Sequence, residues 1–242
     1  MVVQAPSRRD RVRAATADEI KHTARRILVA EGPEACSLRA IAREMGMTAP
    51  ALYRYFDSRE DLIKHVVADI FTEIAGGIHA AVTAAGQASG GDMVAKLVAA
   101  CGEFRSWSLG HKQEFGLLFG TPLPGLEAVH DDVIDDCAAK FSGEFLALFL
   151  ELWRKHPFPV PADDQIDPGL REQLAHYREL LGVDLPLGAG LTFLRCWVRL
   201  YGMVSLEVFG HLHFALDDAA PMFEITVAEL AELVGLQYPP SR

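Results

Sequence analysis

Cysteine is scarce. The chain has four in 242 residues, Cys36, Cys101, Cys137 and Cys196, far apart and none in a CxxC pair. That density excludes a disulfide framework and that spacing excludes a clustered zinc site, so reduced, mostly buried thiols are expected. Long hydrophobic runs are missing too. Charged or polar residues break every apolar stretch before the roughly 20 positions a membrane span needs. The basic start, M-V-V-Q-A-P-S-R-R-D-R, is not followed by the apolar core of a secretory signal. A cytoplasmic protein with no membrane partner is the expectation. Internal repeats, glycine-serine linkers and strand-like alternation are absent, as are a Walker motif, G-x-S-x-G and H-E-x-x-H. Nothing therefore supports catalysis, a cofactor or a metal. G-A-G-L-T-F at 188–193 begins like a dinucleotide fingerprint but carries Phe193 where the last glycine belongs. His211 and His213, two apart on a helix, diverge by about 200° and lack a third ligand.

What is present is a large apolar fraction. Half the residues are hydrophobic and 23% are charged, enough for a sizeable core in one large domain or a small one joined to a larger one. The net charge of −10 is unevenly spread. Residues 1–66 hold 12 Lys+Arg against 9 Asp+Glu, a net of +3; the remaining 176 hold 11 against 24, a net of −13. A small DNA-facing module on an acidic body has this asymmetry, and so does a merely solvated surface. The cluster Asp131, Asp132, Asp135 and Asp136 reads as a solvated face.

Apolar residues recur at helical spacing almost throughout, which predicts an all-α fold. The spacing T-A-D-E places the first helix start at Thr16, with Glu19 completing a capping box. Its apolar face is Ile20, Ala24, Ile27 and Leu28, and E-G-P at 31–33 ends it. Short helices are predicted over 38–45 and 49–56, and a fourth from Asp57–Ser58 to about Ala84. After the break A-A-G-Q-A-S-G-G at 84–91, helices follow over 92–119 (interrupted near 110), 126–154, 168–182, 187–213 and 218–235. T-P-L-P-G at 121–125, P-F-P-V-P at 157–161 and G-V-D-L-P at 182–186 punctuate them.

Residues 37–62, S-L-R-A-I-A-R-E-M-G-M-T-A-P-A-L-Y-R-Y-F-D-S-R-E-D-L, carry the function. Two short helices joined by a glycine turn form the helix-turn-helix pattern. Ala42 sits where the helices cross, and Gly46 supplies the left-handed turn residue. Leu38, Ile41, Met45, Leu52 and Phe56 are spaced to close a small core with Ile27 and Leu28. Thr48 can cap the second helix and Pro50 falls in its first turn. The outer face then presents Thr48, Ala49, Tyr53 and Arg54 with Tyr55 beside them, groups able to reach base edges or phosphates in a major groove. Arg39, Arg43, Arg59 and Lys64 flank it with positive charge. Without the L-Y-R-Y-F-D-S-R-E-D-L run, the same small residues would fit an ordinary helical hairpin.

The segment 20–66 resembles the N-terminal domain of TetR/AcrR-family transcriptional regulators, through I-L-V-A-E-G at 27–32, S-L-R-A-I-A-R-E-M-G-M at 37–47 and A-L-Y-R-Y-F-D-S-R-E-D-L-I at 51–63. The resemblance implies a homodimer that binds a near-palindromic DNA operator, usually as a repressor released by a small-molecule effector. It implies a DNA-binding domain over 1–66 and a helical effector-binding and dimerisation domain over 67–242. Carried over residue by residue, Ser37 and Arg39 would meet the DNA backbone. Thr48, Ala49, Pro50, Tyr53 and Arg54 would face the major groove, and Tyr55 and Arg59 would hold phosphates. Ala49 offers only an apolar contact, such as with a thymine methyl. The basic arm within residues 1–15, with Arg8, Arg9, Arg11 and Arg13, could reach the minor groove or nearby phosphates, or serve as a solubilising tail.

In the C-terminal half, Leu191, Leu194, Val198, Tyr201, Ser205, Val208 and Leu212 form a 3-4 packing seam. Ala220, Phe223, Val227, Leu230 and Val234 form a second. In the family the last two long helices pair between subunits, and both seams fit that role; packing within one subunit is the alternative. W-V-R-L-Y-G-x-x-S-L-E-V-F-G resembles a C-terminal motif of an actinobacterial TetR subgroup, with Tyr201 where His is frequent. Family precedent places an effector cavity within 92–200, for which Cys101, Phe104, Arg105, Trp107, Phe115, Phe119, Phe145, Phe149, Trp153, His176 and Tyr177 are the candidate liners. Such a site would suit an apolar or aromatic ligand. Two other readings stay open: an activator or global regulator with a vestigial ligand site, and an all-helical small-molecule-binding or enzymatic protein whose hairpin is incidental.

Overall fold

A computed structural model describes residues 7–120 and 132–238. Among them the chain forms ten α-helices, one 3-10 turn (Asp163–Gln165) and no strand. The expected turn at 121–125, the first turn of the helix expected from 126, and Asp131 lie outside the described residues. The helices are α1 (Arg8–Glu31), α2 (Leu38–Glu44), α3 (Ala49–Leu52), α4 (Arg59–Ala88), α5 (Met93–Gly110), α6 (Lys112–Phe119), α7 (Asp132–Lys155), α8 (Pro168–Leu181), α9 (Leu187–Val208) and α10 (Ala220–Leu233). They fall into two compact units, one within residues 1–73 and 113–141, the other within 74–112 and 142–242.

Helix α1 starts two turns earlier than the T-A-D-E spacing predicts, because S-R-R-D at 7–10 offers the same box further upstream. The Ser7 hydroxyl oxygen accepts from the Asp10 N–H at 3.2 Å, and the Asp10 carboxylate accepts from the Ser7 N–H at 3.2 Å and its hydroxyl at 2.7 Å. Thr16 instead donates its hydroxyl back to the Val12 carbonyl at 3.0 Å, which suits a helix interior. Gly32 ends α1 at φ +84°, its N–H reaching the Leu28 carbonyl.

In the first unit Ile20, Ala24, Ile27 and Leu28 of α1 pack with Leu38, Ile41 and Ala42 of α2, Leu52 of α3, Phe56, and Leu62, Ile63 and Val66 of α4. Met45, expected in this core, is half-buried. An aromatic group follows, with Phe119 centred 4.9 Å from Phe115, 5.9 Å from Phe71 and 5.6 Å from Phe141. Arg25 ties three helices: its guanidinium meets Glu73 of α4 at 2.5 Å and Glu114 of α6 at 3.2 Å. Glu114 is buried, so this pairing supplies the partner a buried carboxylate requires. Helix α4 has the length and composition to cross a membrane, which corrects the expectation that no stretch does. Its Leu62, Val66, Ile70, Ile74 and Ile78 are nevertheless buried in protein, as in a core helix.

In the second unit α9 packs against α5, α8 and α10. Asp167 caps α8 by accepting from the N–H groups of Gly169 and Leu170 at 3.0 and 3.1 Å. Helix α9 stops at Val208, short of the expected 213, where turns around Gly210 (φ +72°) take over. Cys36, Cys101 and Cys137 are buried and Cys196 half-buried, all as free thiols.

Candidate functional site: nucleic-acid interface and apolar cavity

The turn between α2 and α3 is built by Gly46 at φ +64°, a left-handed conformation that L side chains rarely adopt. It lets the Met47 N–H close on the Ala42 carbonyl at 2.8 Å. Ala42, 2% exposed, leaves room for the helices to cross. The Ser37 hydroxyl caps α2 by accepting from the Ala40 N–H at 3.2 Å. Its oxygen is thus committed to the helix start while the side chain stays half-buried.

Helix α3 is a single turn. Beyond Leu52 the chain continues in tight turns, with the Tyr55 and Phe56 N–H groups both bonded to the Leu52 carbonyl. Thr48 precedes α3 without a side-chain cap bond, contrary to the expected cap, because Pro50 removes one of the first-turn donors a cap would serve. Thr48 is exposed, beside exposed Pro50, Tyr53 and Arg54. Tyr53 is 57% exposed, a large cost for an aromatic that serves only packing. Ala49 and Tyr55 are half-buried at the edge, and Arg39 and Arg43 are exposed on α2.

Two arginines act differently from the expectation. Arg59 donates Nε to the Cys36 carbonyl at 2.7 Å and Nη2 to the Pro33 carbonyl at 2.6 Å. It pins the α1–α2 connection to the start of α4, so its fork is occupied by backbone where a phosphate was expected. Arg13 was read as part of an arm but lies within α1. It donates Nη2 to the Arg54 carbonyl at 3.1 Å and sits 5.9 Å over the Tyr55 ring.

The second unit holds a small apolar cavity of about 60 Å³ between α5, α7, α9 and α10. Met93, Leu97, Cys101, Phe145, Leu148, Phe149, Leu152, Phe193, Cys196, Trp197, Leu200, Leu230, Val234 and Leu236 line it. Of the candidate liners, Cys101, Phe145 and Phe149 are here. Phe104 lies fully buried behind the wall, its ring 6.0 Å from Phe145 and 5.9 Å from Trp197. Arg105 is bound to Glu207 at 2.5 and 2.7 Å and covers Phe223. Trp107 stacks on His111, and Trp153 meets Phe158 edge-on. Phe115 and Phe119 belong to the first unit, because α6 packs there. His176 is exposed, and Tyr177 borders a separate crevice of about 20 Å³. Phe193, Trp197 and Leu200 were missed. Their i, i+4, i+7 spacing is visible in the sequence, one position off the seam read on α9.

The expected intersubunit seams also divide. Phe223, Val227, Leu230 and Val234 of α10 are buried within the subunit, which corrects their reading as an interface. A 3-4 seam marks a packing face without saying which chain covers it. On α9, Val208 is buried, Leu191, Leu194, Tyr201 and Ser205 are half-buried, and Val198 is 67% exposed; Leu212, beyond the helix, is half-buried. The outward apolar groups are Val198, Leu206, Phe209, Met222 and Ile225. No group of metal-ligating side chains occurs among the described residues.

Comparison with known proteins matches residues 20–66 to the family described as bacterial regulatory proteins, tetR family, and residues 97–230 to the tetracyclin repressor-like C-terminal domain. The chain is 29% identical over 222 residues to the HTH-type transcriptional regulator Rv1816 of Mycobacterium tuberculosis, covering 88% of this chain and 92% of that one. Among solved structures it is 31% identical to the regulatory protein SCO4313, with a TM-score of 0.71, covering 93% of this chain and all of the other. A TetR/AcrR-family regulator from Thermobifida fusca, 17% identical with a TM-score of 0.55 over 93% of this chain and all of that one, shares the fold. These relatives are regulators of transcription rather than enzymes.

Proposed function

Because the chain belongs to the TetR family of DNA-binding transcriptional regulators, we propose that it works as a homodimeric repressor of a near-palindromic operator, released when an apolar small molecule fills the α5/α7/α9/α10 cavity. The observation that carries the DNA-reading face is the outward set Thr48, Pro50, Tyr53 and Arg54, standing on a helix pair anchored in the core by Leu38, Ile41, Ala42 and Leu52. Ser37, Arg39, Ala49 and Tyr55 border it. Arg39 and Arg43 supply phosphate contacts, while Ser37 and Arg59 serve the interface through the geometry they hold. The protein acts in the cytoplasm, where bacterial operators lie.

The dimer reading rests on the apolar groups left outward on α9 and α10. Val198 and Ile225, 67% and 53% exposed, are costly in water unless a second surface covers them. The effector reading rests on the cavity wall, which is apolar apart from the Cys101 and Cys196 thiols and the Trp197 indole N–H. Such a wall selects a ligand by shape and apolar area and rejects buried charge.

Selection of bound sequences from a randomised DNA pool, with light scattering on the same protein, tests the reading. An enriched inverted repeat and a dimeric mass support it. A monomeric mass, or enrichment of a single unrepeated half-site, overturns the dimer. Trp197 on the cavity wall reports occupancy. The neutral probe N-phenyl-1-naphthylamine should quench tryptophan emission and lower operator affinity together; quenching with affinity unchanged overturns ligand release.

A further inference from the structure

The described basic stretch at the start of the chain is helix. Residues 8–15 form the first two turns of α1 and are exposed throughout. Among the described residues no buried apolar contact explains why the helix extends so far beyond Ile20, its first buried residue. The angular position of each arginine is fixed by the helix itself. At about 100° per residue, Arg9 and Arg13 each lie within about 20° of the direction of Ile20. The face that enters the core at Ile20, Ala24 and Ile27 therefore continues upstream as Arg13 and then Arg9. Arg13 shows where that face leads, since its guanidinium holds the Arg54 carbonyl at 3.1 Å and covers the Tyr55 ring. Arg9 stands one turn, about 6 Å, further along, just past the end of the DNA-reading surface. Arg8 lies about 100° round the helix from Arg9, whereas Arg11 is on the opposite side.

Among the described residues the arginines of this unit in ion pairs are Arg25, Arg26 and Arg59, and neither Arg8 nor Arg9 is one of them. The one carboxylate in the same turns, Asp10, is committed to the Ser7 N–H and hydroxyl. From these observations we propose that the first two turns of α1 form a rigid clamp on DNA, in which Arg9, with Arg8 beside it, binds backbone phosphates next to the site read by α3, and Arg13 is the positioning residue that fixes the clamp to α3. The inference rests on the DNA-binding reading and adds to it a sequence-independent share of affinity. A guanidinium on a preformed helix suits a phosphate, because its fork is bidentate and little backbone entropy is lost on binding.

The test compares wild type, Arg9→Ala and Arg8→Ala/Arg9→Ala on the enriched operator and on random duplex DNA from 50 to 300 mM salt. Alanine is the best helix former, so the helix persists, and circular dichroism checks it. Each lost phosphate contact flattens the slope of log affinity against log salt by about 0.9. The expected result is a slope flatter by about 1 for the single variant and by about 2 for the double, with affinity for operator and random DNA falling by the same factor. Unchanged slopes overturn the clamp while leaving the α3 reading intact. A wild-type protein that binds neither DNA overturns both.

Discussion

Arg54 and Arg59 lie five residues apart and have different tasks. Arg54 is exposed, and its side chain is free to meet DNA. Arg59 spends two donors on the carbonyls of Cys36 and Pro33. Removing it leaves those carbonyls without their charged partner, a loss of about 1–3 kcal/mol. Arg59→Ala should therefore lower the urea midpoint clearly, and Arg59→Lys should restore only part, because an ammonium cannot reproduce the fork. Arg54→Ala should leave the midpoint in place and weaken operator binding. An Arg59→Ala protein of wild-type stability that fails only on DNA would return Arg59 to the phosphate role. Residue type and spacing made this pair look alike in the sequence. The difference depends on two carbonyls more than 20 positions away, which no local pattern reveals.

The cavity thiols make a second prediction at this scale. Burial pushes Cys101 up to about 12 and Cys196 up to about 11 from an ordinary value near 9. The reactive thiolate is then almost absent at pH 8, and iodoacetamide should modify neither in the folded protein. For linkage, a raised folded pKa means that the unfolded chain sheds these protons first. The associated stability is complete below pH 9 and is lost as pH rises to between 11 and 12. Rapid labelling at pH 8 without unfolding would show that the cavity admits water freely.

At the scale of elements, the helix-turn-helix was legible because its key parts are short-range, a small residue at the crossing and a glycine at the turn, while the cap was expected at Thr48 and is found at Ser37. Glycine substitutions separate two kinds of cost. At Gly46 a Cβ would meet nothing within 4 Å, so Gly46→Ala carries only the left-handed backbone penalty of about 1–2 kcal/mol. At Gly188, in α9, a Cβ would come within 2.1 Å of the Pro161 carbonyl oxygen. Gly188→Ala must displace backbone and should lower the melting temperature more than Gly46→Ala; the reverse order would contradict the packing described. Gly188 stood inside a misleading dinucleotide-like string, and its role in a close approach to Pro161 was invisible there. The start of α1 was misread for a related reason, since two capping boxes compete and only the upstream one is used. The α10 seam was found, but its inward direction depends on which helices surround it.

The whole molecule divides its charge according to use, with basic residues gathered before position 66 and an acidic body after it. The all-helical class was legible from periodicity alone. The cavity was only partly so, because its wall draws single faces from four helices that are distant in sequence. Dimerisation belongs to this scale, and Val198→Glu/Ile225→Glu should convert a dimer to monomers by light scattering with helicity unchanged. A persistent dimer would move the interface elsewhere. The central claim is that the surface around α3 reads DNA. Its most direct test is a titration of the enriched operator with wild-type protein and with Tyr53→Ala/Arg54→Ala at moderate salt. The account predicts at least a tenfold loss of operator affinity, with circular dichroism and thermal midpoint unchanged. Equal affinity in the folded double variant would contradict it.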